Sequence, residues 1–164
     1  MLNAYDFLLV SGSGIIYTFT TDNGAVYAIQ FKPTPYLFED APDLGEHIYE
    51  LVIELLRSGE GRAGTDTKVS FTIAAICSQF LAEHERMLLY ICETADYKHL
   101  ARVRKFDGWF RLFGASEFVK LDTQFPDTNG TVYFVSLIVR WKHAALHKVI
   151  SAFERLSKQY QTNK

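Results

Sequence analysis

Residues 87–114 read MLLYICETADYKHLARVRKFDGWFRLFG, and they set the architecture of the chain. The first six, Met87–Cys92, are continuously apolar, which is typical of a central strand covered on both faces. After a short polar connection, apolar residues recur at helical spacing from about Ala95 to Phe113. We therefore expect a buried strand that leads directly into a long helix.

That helix carries two stripes of side chains. One stripe is apolar and is predicted to face the core: Val103, Phe106, Phe110 and Phe113. The other is basic and ends in an indole ring: Lys98, Arg102, Lys105 and Trp109. The basic stripe could bind phosphates and stack on a base or an adenine ring. It could equally be an exposed face whose long side chains pair with acidic residues or cover apolar surface.

The composition is that of one globular domain spanning residues 1–164, with a frayed tail at 161–164. Hydrophobic residues make up 48% and aromatic residues 15%, which is enough for a packed core and argues against disorder. The net charge of −2 gives no overall preference for nucleic acid or an anionic membrane. Either partner would need a local patch of charge.

The cysteine content and the N-terminus indicate the compartment. Cys77 and Cys92 both lie in apolar runs and are predicted to be reduced and buried. The N-terminus lacks the basic leader and the apolar run of a signal peptide. No stretch approaches the roughly 20 apolar residues of a membrane span. We therefore expect a cytoplasmic protein without a membrane partner.

Five further runs are predicted to be strands: Tyr5–Val10, Ile15–Thr21, Ala25–Phe31, Ser116–Phe125 and Thr131–Val139. Turn sequences separate the second run from the third and the fourth from the fifth, so these four runs are expected to form two hairpins. The last run is apolar on both faces, which predicts that it is the more central strand of its hairpin.

Three other segments show helical spacing of apolar residues: Asp43–Arg57, Lys68–Glu85 and a final helix that follows Trp141–His143. Residues 39–60 contain seven acidic residues and one arginine, a local charge of −6. We expect most of these acids to form a solvated helix face. A surface for a basic partner is the alternative.

The connection Ser58–Thr67, SGEGRAGTDT, is small, polar and rich in glycine. A loop of this kind ahead of a helix can present amide groups to a phosphate or pyrophosphate. Four of its residues are candidates for that contact: Gly59, Gly61, Arg62 and Gly64. Three are candidate N-caps of the next helix: Thr65, Asp66 and Thr67. The alternative is a mobile connection between two helices.

Two acids and a histidine follow the apolar strand: Glu93, Asp96 and His99. Ligands of open α/β sheets bind beyond the C-terminal ends of the strands, and carboxylates there could hold a metal or act as acid and base. Asp96 could instead cap the following helix. Three neighbouring candidates do not complete a coordination sphere, so we predict no metal site and assign no catalytic residue.

The predicted order β-β-β-α-α-β-α-β-β-α indicates an α+β fold with a single mixed or antiparallel sheet of about six strands and helices on its faces. The second half, residues 68–139, resembles the cofactor-binding half of the GNAT acetyltransferase fold. That resemblance implies a central strand that exposes backbone groups to acetyl-CoA, and a glycine-rich loop for its pyrophosphate. It makes Glu93 or Tyr133 an optional general base.

Two features depart from the GNAT pattern. In that family the pyrophosphate loop follows a strand, whereas Ser58–Thr67 is predicted to follow a helix. The spacing of arginine and glycine in the loop is also off by one. A second resemblance covers most of the chain: the runs YICETADYKHLARVRKFDGWF and TDNGAVYAIQF are similar to an uncharacterised family of small bacterial proteins, a domain of unknown function.

The sequence contains no complete catalytic or metal-binding signature, and the function that we favour is therefore a non-enzymatic interaction or regulatory module with a protein partner. One alternative is a GNAT-like acyltransferase, or a degenerate relative, with acetyl-CoA as its cofactor; no cofactor is expected otherwise. The other alternative is a nucleic-acid-binding module that uses the basic helix at residues 98–111.

Overall fold

The computed structural model of this protein describes residues 3–61, 66–93, 98–114 and 116–162. Within these ranges there are seven strands: β1 (Phe7–Val10), β2 (Ile15–Thr20), β3 (Val26–Pro33), β4 (Ile48–Arg57), β5 (Met87–Glu93), β6 (Phe118–Pro126) and β7 (Val132–Arg140). Four helices connect or follow them: α1 (Pro42–Gly45), α2 (Thr67–Phe80), α3 (His99–Phe113) and α4 (Leu146–Thr162).

All seven strands belong to one sheet, in the order β1-β2-β3-β4-β5-β7-β6. β4 and β5 pair parallel, and the other neighbours in this sheet pair antiparallel. The predicted α+β fold with a single mixed sheet is confirmed, with seven strands in place of about six. None of the helices in the described ranges is long and apolar enough to cross a membrane.

The prediction of a helix over Asp43–Arg57 is wrong. Only its start is helical, in the short α1, and most of the segment is β4. β4 pairs with β3 from Tyr49 to Arg57 and with β5 at its own start. A strand between two neighbours can be apolar on both faces, so its apolar residues also matched a helical repeat. Glu50 and Glu54 therefore lie on β4, whereas Asp43 lies in α1.

Both predicted hairpins are confirmed. β2 and β3 pair across a turn in which Gly24 has a φ of 88°, and β6 and β7 pair across a turn in which Gly130 has a φ of 86°. Glycine adopts this left-handed region without steric cost. β7 lies between β5 and β6, so the apolar strand of the second hairpin is the more central one, as predicted.

The two faces of the sheet bury separate apolar clusters, and β5 contributes to both. α2 and α3 cover one face, where Leu88 is buried and Phe31 stacks on Phe80 with ring centroids 3.9 Å apart. α4 and the segment around α1 cover the other face, where Met87 and Leu89 are buried. Successive residues of a strand point to opposite faces, so the continuous apolar run is a central strand, as predicted.

Two groups in this core have pKa values far above their ordinary values. Cys77 and Cys92 are both buried thiols, and burial raises the pKa of the Cys77 thiol from 9.0 to about 12. Desolvation also raises the pKa of Tyr90 from 10.0 to about 12, because its ring stacks on Phe106 under α3. Both shifts mean that the folded state holds these protons more tightly than the unfolded chain.

We predict that stability falls as pH rises from about 9 towards 12. Below this range both states keep the two protons, so the full stability is present. Within it the unfolded chain releases them first, which favours unfolding. Cys77→Ala and Tyr90→Phe should each make the fall shallower, measured by urea unfolding between about pH 8 and pH 11. Tyr36→Phe, at an exposed tyrosine, is the control. An unchanged slope in both core variants would contradict the prediction.

Candidate functional site

The pairing between β4 and β5 ends early. It consists of three residue pairs, Ile48 with Met87, Tyr49 with Leu88 and Glu50 with Leu89. Beyond them β4 continues along β3 to its end, and β5 continues along β7. The two strands therefore part towards their C-terminal ends. We call the space between residues 51–57 of β4 and residues 90–93 of β5 the wedge.

The backbone is the main polar feature of the wedge. Each strand bonds its outer neighbour through half of its N–H and C=O groups, and the other half point towards the opposite wall of the wedge. In the described part of the chain, no strand pairing joins β4 and β5 there. Backbone groups away from water need hydrogen-bond partners. An extended ligand with amide groups is one partner that could fill this space.

Exposed apolar side chains and one carboxylate lie on the walls of the wedge. Leu55 and Leu56 on β4 are 50% and 53% exposed, and Ile91 on β5 is 36% exposed. Glu54 is also exposed, and its partner across the β3–β4 ladder is the small Ala28. The residues beside the wedge thus include exposed apolar side chains and one exposed carboxylate.

The glycine-rich connection starts directly at the end of β4. It therefore follows a strand, and the predicted helix before it is wrong. A Cβ on Gly59 would lie 2.5 Å from the end of the Asn23 side chain, so a larger residue here would require that side chain to move. Gly61 has a φ of 83°, in the left-handed region. Arg62 and Gly64, also predicted to bind phosphate, lie outside the described residues.

Hydrogen bonds tie this connection to the β2–β3 turn. The backbone N–H of Glu60 donates to the carbonyl of Asn23 at 2.8 Å, and the Asn23 side-chain amide donates to the carbonyl of Glu60 at 3.2 Å. Arg57 Nε donates to the carbonyl of Gly24 at 3.3 Å. These contacts give Gly59 a role in packing the connection against the turn. Its role in phosphate binding stays a prediction.

A cavity of about 240 Å³ lies beside this connection. Apolar groups of Tyr27, Leu55 and Val69 line part of it, and polar groups of Ser58 and Asp66 line another part. The cavity is therefore located where β4 ends and α2 begins. Its position matches the predicted ligand loop, and its polar lining includes a carboxylate.

Asp66, one of the three predicted N-caps, caps the N-terminus of α2. Its Oδ1 accepts from the backbone N–H groups of Lys68 at 2.9 Å and Val69 at 3.3 Å. The Tyr5 hydroxyl donates to Oδ2 at 2.7 Å, and desolvation together with this hydrogen bond raises the pKa of Tyr5. The positive end of the helix dipole is thus already neutralised by a carboxylate of the chain itself.

The structure separates the four residues of the predicted basic stripe. Lys98 is exposed at the N-cap of α3, Lys105 is exposed, Arg102 is partly buried, and Trp109 is only 8% exposed. On an α-helix Trp109 lies about 60° from Phe106 and about 40° from Lys105, so it borders both stripes. Its large apolar ring is drawn to the core side.

The ring of Trp109 packs edge-on against Phe106, with centroids 6.4 Å apart, and belongs to the cluster under α2 and α3. The buried ring does not support stacking of this indole on a base, which was the first of the two alternatives for the stripe. Binding roles for Lys98, Arg102 and Lys105 stay predictions.

The two tryptophans give a direct check of this placement. Trp109→Ala should lower the free energy of unfolding by about 3–5 kcal/mol, because it leaves a cavity in the core. Trp141→Ala is the matched control, since Trp141 is 57% exposed and should change stability by no more than about 0.5 kcal/mol. Urea denaturation measures both. Equal effects of the two variants would refute a buried Trp109.

The side chains of the two acids and the histidine that follow the apolar run lie outside the described residues. Glu93 is the last residue of β5, opposite Tyr133 of β7, but its side chain and that of His99 are outside the description. Asp96 lies outside the described residues altogether. Among the residues that are described, no group of three His, Cys, Asp or Glu side chains could hold a metal ion.

The sequence reasoning missed Glu54 and the apolar walls of the wedge, because it placed this segment on a helix. One signal was present: the run IYELVIELL at 48–56 is rich in β-branched and aromatic residues, which favour strands. The early end of the β4–β5 pairing has no sequence signal of its own.

Comparison with known protein families gives one match. A family described as a family of unknown function, DUF6169, matches residues 65–155, which is more than half of the 164 residues. The matched part includes α2, β5, α3, β6 and β7. The resemblance to a domain of unknown function is thereby confirmed. No curated protein and no solved structure matches the chain.

Proposed function

We propose a function for this chain, which belongs to the DUF6169 family of unknown function: it binds an acyl thioester on a pantetheine arm, as in acyl-CoA, and transfers the acyl group to an amine. The observation that carries the proposal is the early end of the β4–β5 pairing, which leaves the wedge open. This function is the GNAT-like alternative that the order of elements indicated.

A pantetheine arm suits the wedge because it is a flexible, extended chain that contains amide groups. Beyond Glu50 and Leu89 the facing edges of β4 and β5 present backbone groups that no strand pairs in the described residues. An extended ligand can pair with such groups as an added strand does. The thioester would then lie beside the part of β4 that carries Glu54.

The chain path around the wedge gives further support. A glycine-containing connection leaves β4 and leads to α2, which crosses to the parallel neighbour β5. The GNAT fold places its cofactor loop after a strand, and one of the two departures from that pattern has therefore disappeared. The wedge also lies at the C-terminal end of the parallel pair, where sheets of this kind bind ligands.

The transfer needs a group that accepts a proton, and Glu54 is our candidate. It is exposed on the part of β4 that borders the wedge. The nitrogen lone pair of the amine attacks the thioester carbonyl carbon, a C–N bond forms, and the C–S bond breaks. Glu54 accepts the proton from nitrogen and returns it to the departing thiolate, so protons and electrons balance without another reactant.

Support for the other two functions has weakened. Most of the segment expected to be an acidic helix is the strand β4, and Trp109 is not on the surface to stack on a base. A protein partner on the basic residues of α3 stays a prediction.

Acetyl-CoA should stabilise the folded protein. At roughly ten times its Kd a ligand of the native state adds about 1.4 kcal/mol, which raises Tm by about 3–6 °C in a protein of this size. Ile91→Trp should abolish the shift by filling the wedge, measured by a thermal-shift titration. Leu112→Trp is the matched control, because Leu112 is 41% exposed on α3, outside the wedge. No shift with millimolar acetyl-CoA or with acetyl-pantetheine would overturn the proposal.

Glu54→Gln should reduce the rate of acyl transfer by roughly 100-fold or more, because the amide cannot accept the proton. The thermal shift with acetyl-CoA should persist, which separates a lost base from a lost binding site. Release of the free thiol during reaction with a panel of primary amines measures the rate. Glu154→Gln on α4, also exposed, is the control. A rate unchanged by Glu54→Gln would exclude this residue as the base.

A further inference from the structure

We infer that the acyl donor is a second protein: an acidic acyl-carrier domain that docks on α3 and inserts its phosphopantetheine arm into the wedge. The inference rests on the proposed function and names the partner that delivers the substrate. It differs from that function in one testable respect, which is the preference for a carrier-borne thioester over free acyl-CoA.

Among the described residues, the end of β4 and the start of α2 offer little to the diphosphate of free CoA. The Asp66 carboxylate already accepts from two backbone N–H groups in the first turn of α2, and Tyr5 donates to its other oxygen. A second anion at this helix end would meet a negative charge and donors already in use. Arg57, at the end of β4, donates to the carbonyl of Gly24. A phosphopantetheine arm on a carrier protein has no diphosphate, so it needs no diphosphate-binding loop here.

The outer surface of α3 is basic. Four of its cationic side chains are exposed: Lys98, Arg104, Lys105 and Arg111. Asp107 is the one acidic residue between positions 98 and 113, and its carboxylate lies 2.9 Å from Lys120 Nζ. Residues 98–113 therefore carry more positive than negative charge in sequence, although the whole chain has a net charge of −2. An acidic partner is attracted to this surface and not to the protein in general.

One exposed apolar side chain lies among the basic side chains of α3. Leu112 is 41% exposed, and a Cβ added to the nearby Gly108 would meet nothing within 4 Å. An apolar centre with a charged rim is the usual anatomy of a protein–protein interface. Among the described side chains of α3, a nucleic acid would find the same charges but no exposed aromatic ring, since Trp109 is buried. These features favour an acidic protein surface as the occupant.

The basic surface starts close to the wedge. Lys98 follows Glu93, the last residue of β5, by five positions. An extended chain covers at most about 3.6 Å per residue, so Lys98 lies within roughly 18 Å of the end of β5. A phosphopantetheine arm spans a distance of this order. A carrier bound on α3 could therefore reach the wedge with its thioester.

The test compares two donors of the same acetyl group: acetyl-CoA and a purified acidic acyl carrier protein loaded with acetyl-phosphopantetheine. Binding is measured by calorimetry at low and at high salt, and transfer by loss of the thioester. We expect the loaded carrier to bind at least about tenfold more tightly at low salt, and this advantage to shrink as salt screens the charges.

Charge reversal locates the docking surface. The double variant Lys105→Glu/Arg111→Glu should weaken carrier binding by about tenfold or more and leave acetyl-CoA binding unchanged. Lys148→Glu/Lys158→Glu on α4 is the matched control, with the same change in net charge on another helix. Single-stranded RNA is added as a competitor, and stronger binding of RNA than of the carrier would overturn the inference.

The possible outcomes distinguish the inferred carrier partner from the proposed acyltransferase function. Equal use of both donors, with no effect of the α3 charge reversal, overturns the inference and leaves the proposed acyltransferase standing. Failure of both donors to bind or to react overturns the proposed function and the inference with it. A carrier preference that disappears in the α3 variant alone supports both.

Discussion

The burial of β5 on both faces is the constraint on which the rest of the structure depends. Leu88 belongs to the cluster under α2 and α3, and Met87 and Leu89 belong to the cluster under α4. A strand covered on both sides cannot lie at an edge, so it needs a neighbour on each side. β7 supplies one neighbour along most of its length, and β4 supplies the other only at its start.

The opening of the wedge follows from this arrangement. The residues that hold the two cores together are at the start of β5, where β4 also pairs with it. Beyond Leu89 the two cores do not require β5 to pair with β4. There the two strands pair with different neighbours. The sheet can thus be continuous at one end and open at the other without loss of either core. A site formed by backbone edges needs few special side chains, which agrees with the absence of a catalytic signature in the sequence.

The helix ends and helix surfaces around the wedge differ in the sign of their charge. Asp66 places a carboxylate at the N-terminus of α2, whereas α3 exposes lysine and arginine side chains. Anion recognition at the start of α2 is therefore disfavoured, and attraction of an acidic surface to α3 is favoured. Glycine in the connection after β4 has a structural reason as well, because Gly59 admits the side chain of Asn23. A glycine-rich sequence alone does not distinguish close packing from phosphate binding.

Local sequence patterns determined most of the fold: the apolar run of β5, both hairpins with their glycine turns, and the amphipathic helices α2 and α4. The tertiary context settled the rest. Ile48–Arg57 fits a helix and a strand equally well by spacing, and only the backbone partners on both sides make it β4. Trp109 borders two stripes of α3, and the space beneath the helix determines that its ring is buried. The wedge depends on where the β4–β5 pairing ends. Hydrogen bonds between distant segments fix that point, and neither segment encodes it alone.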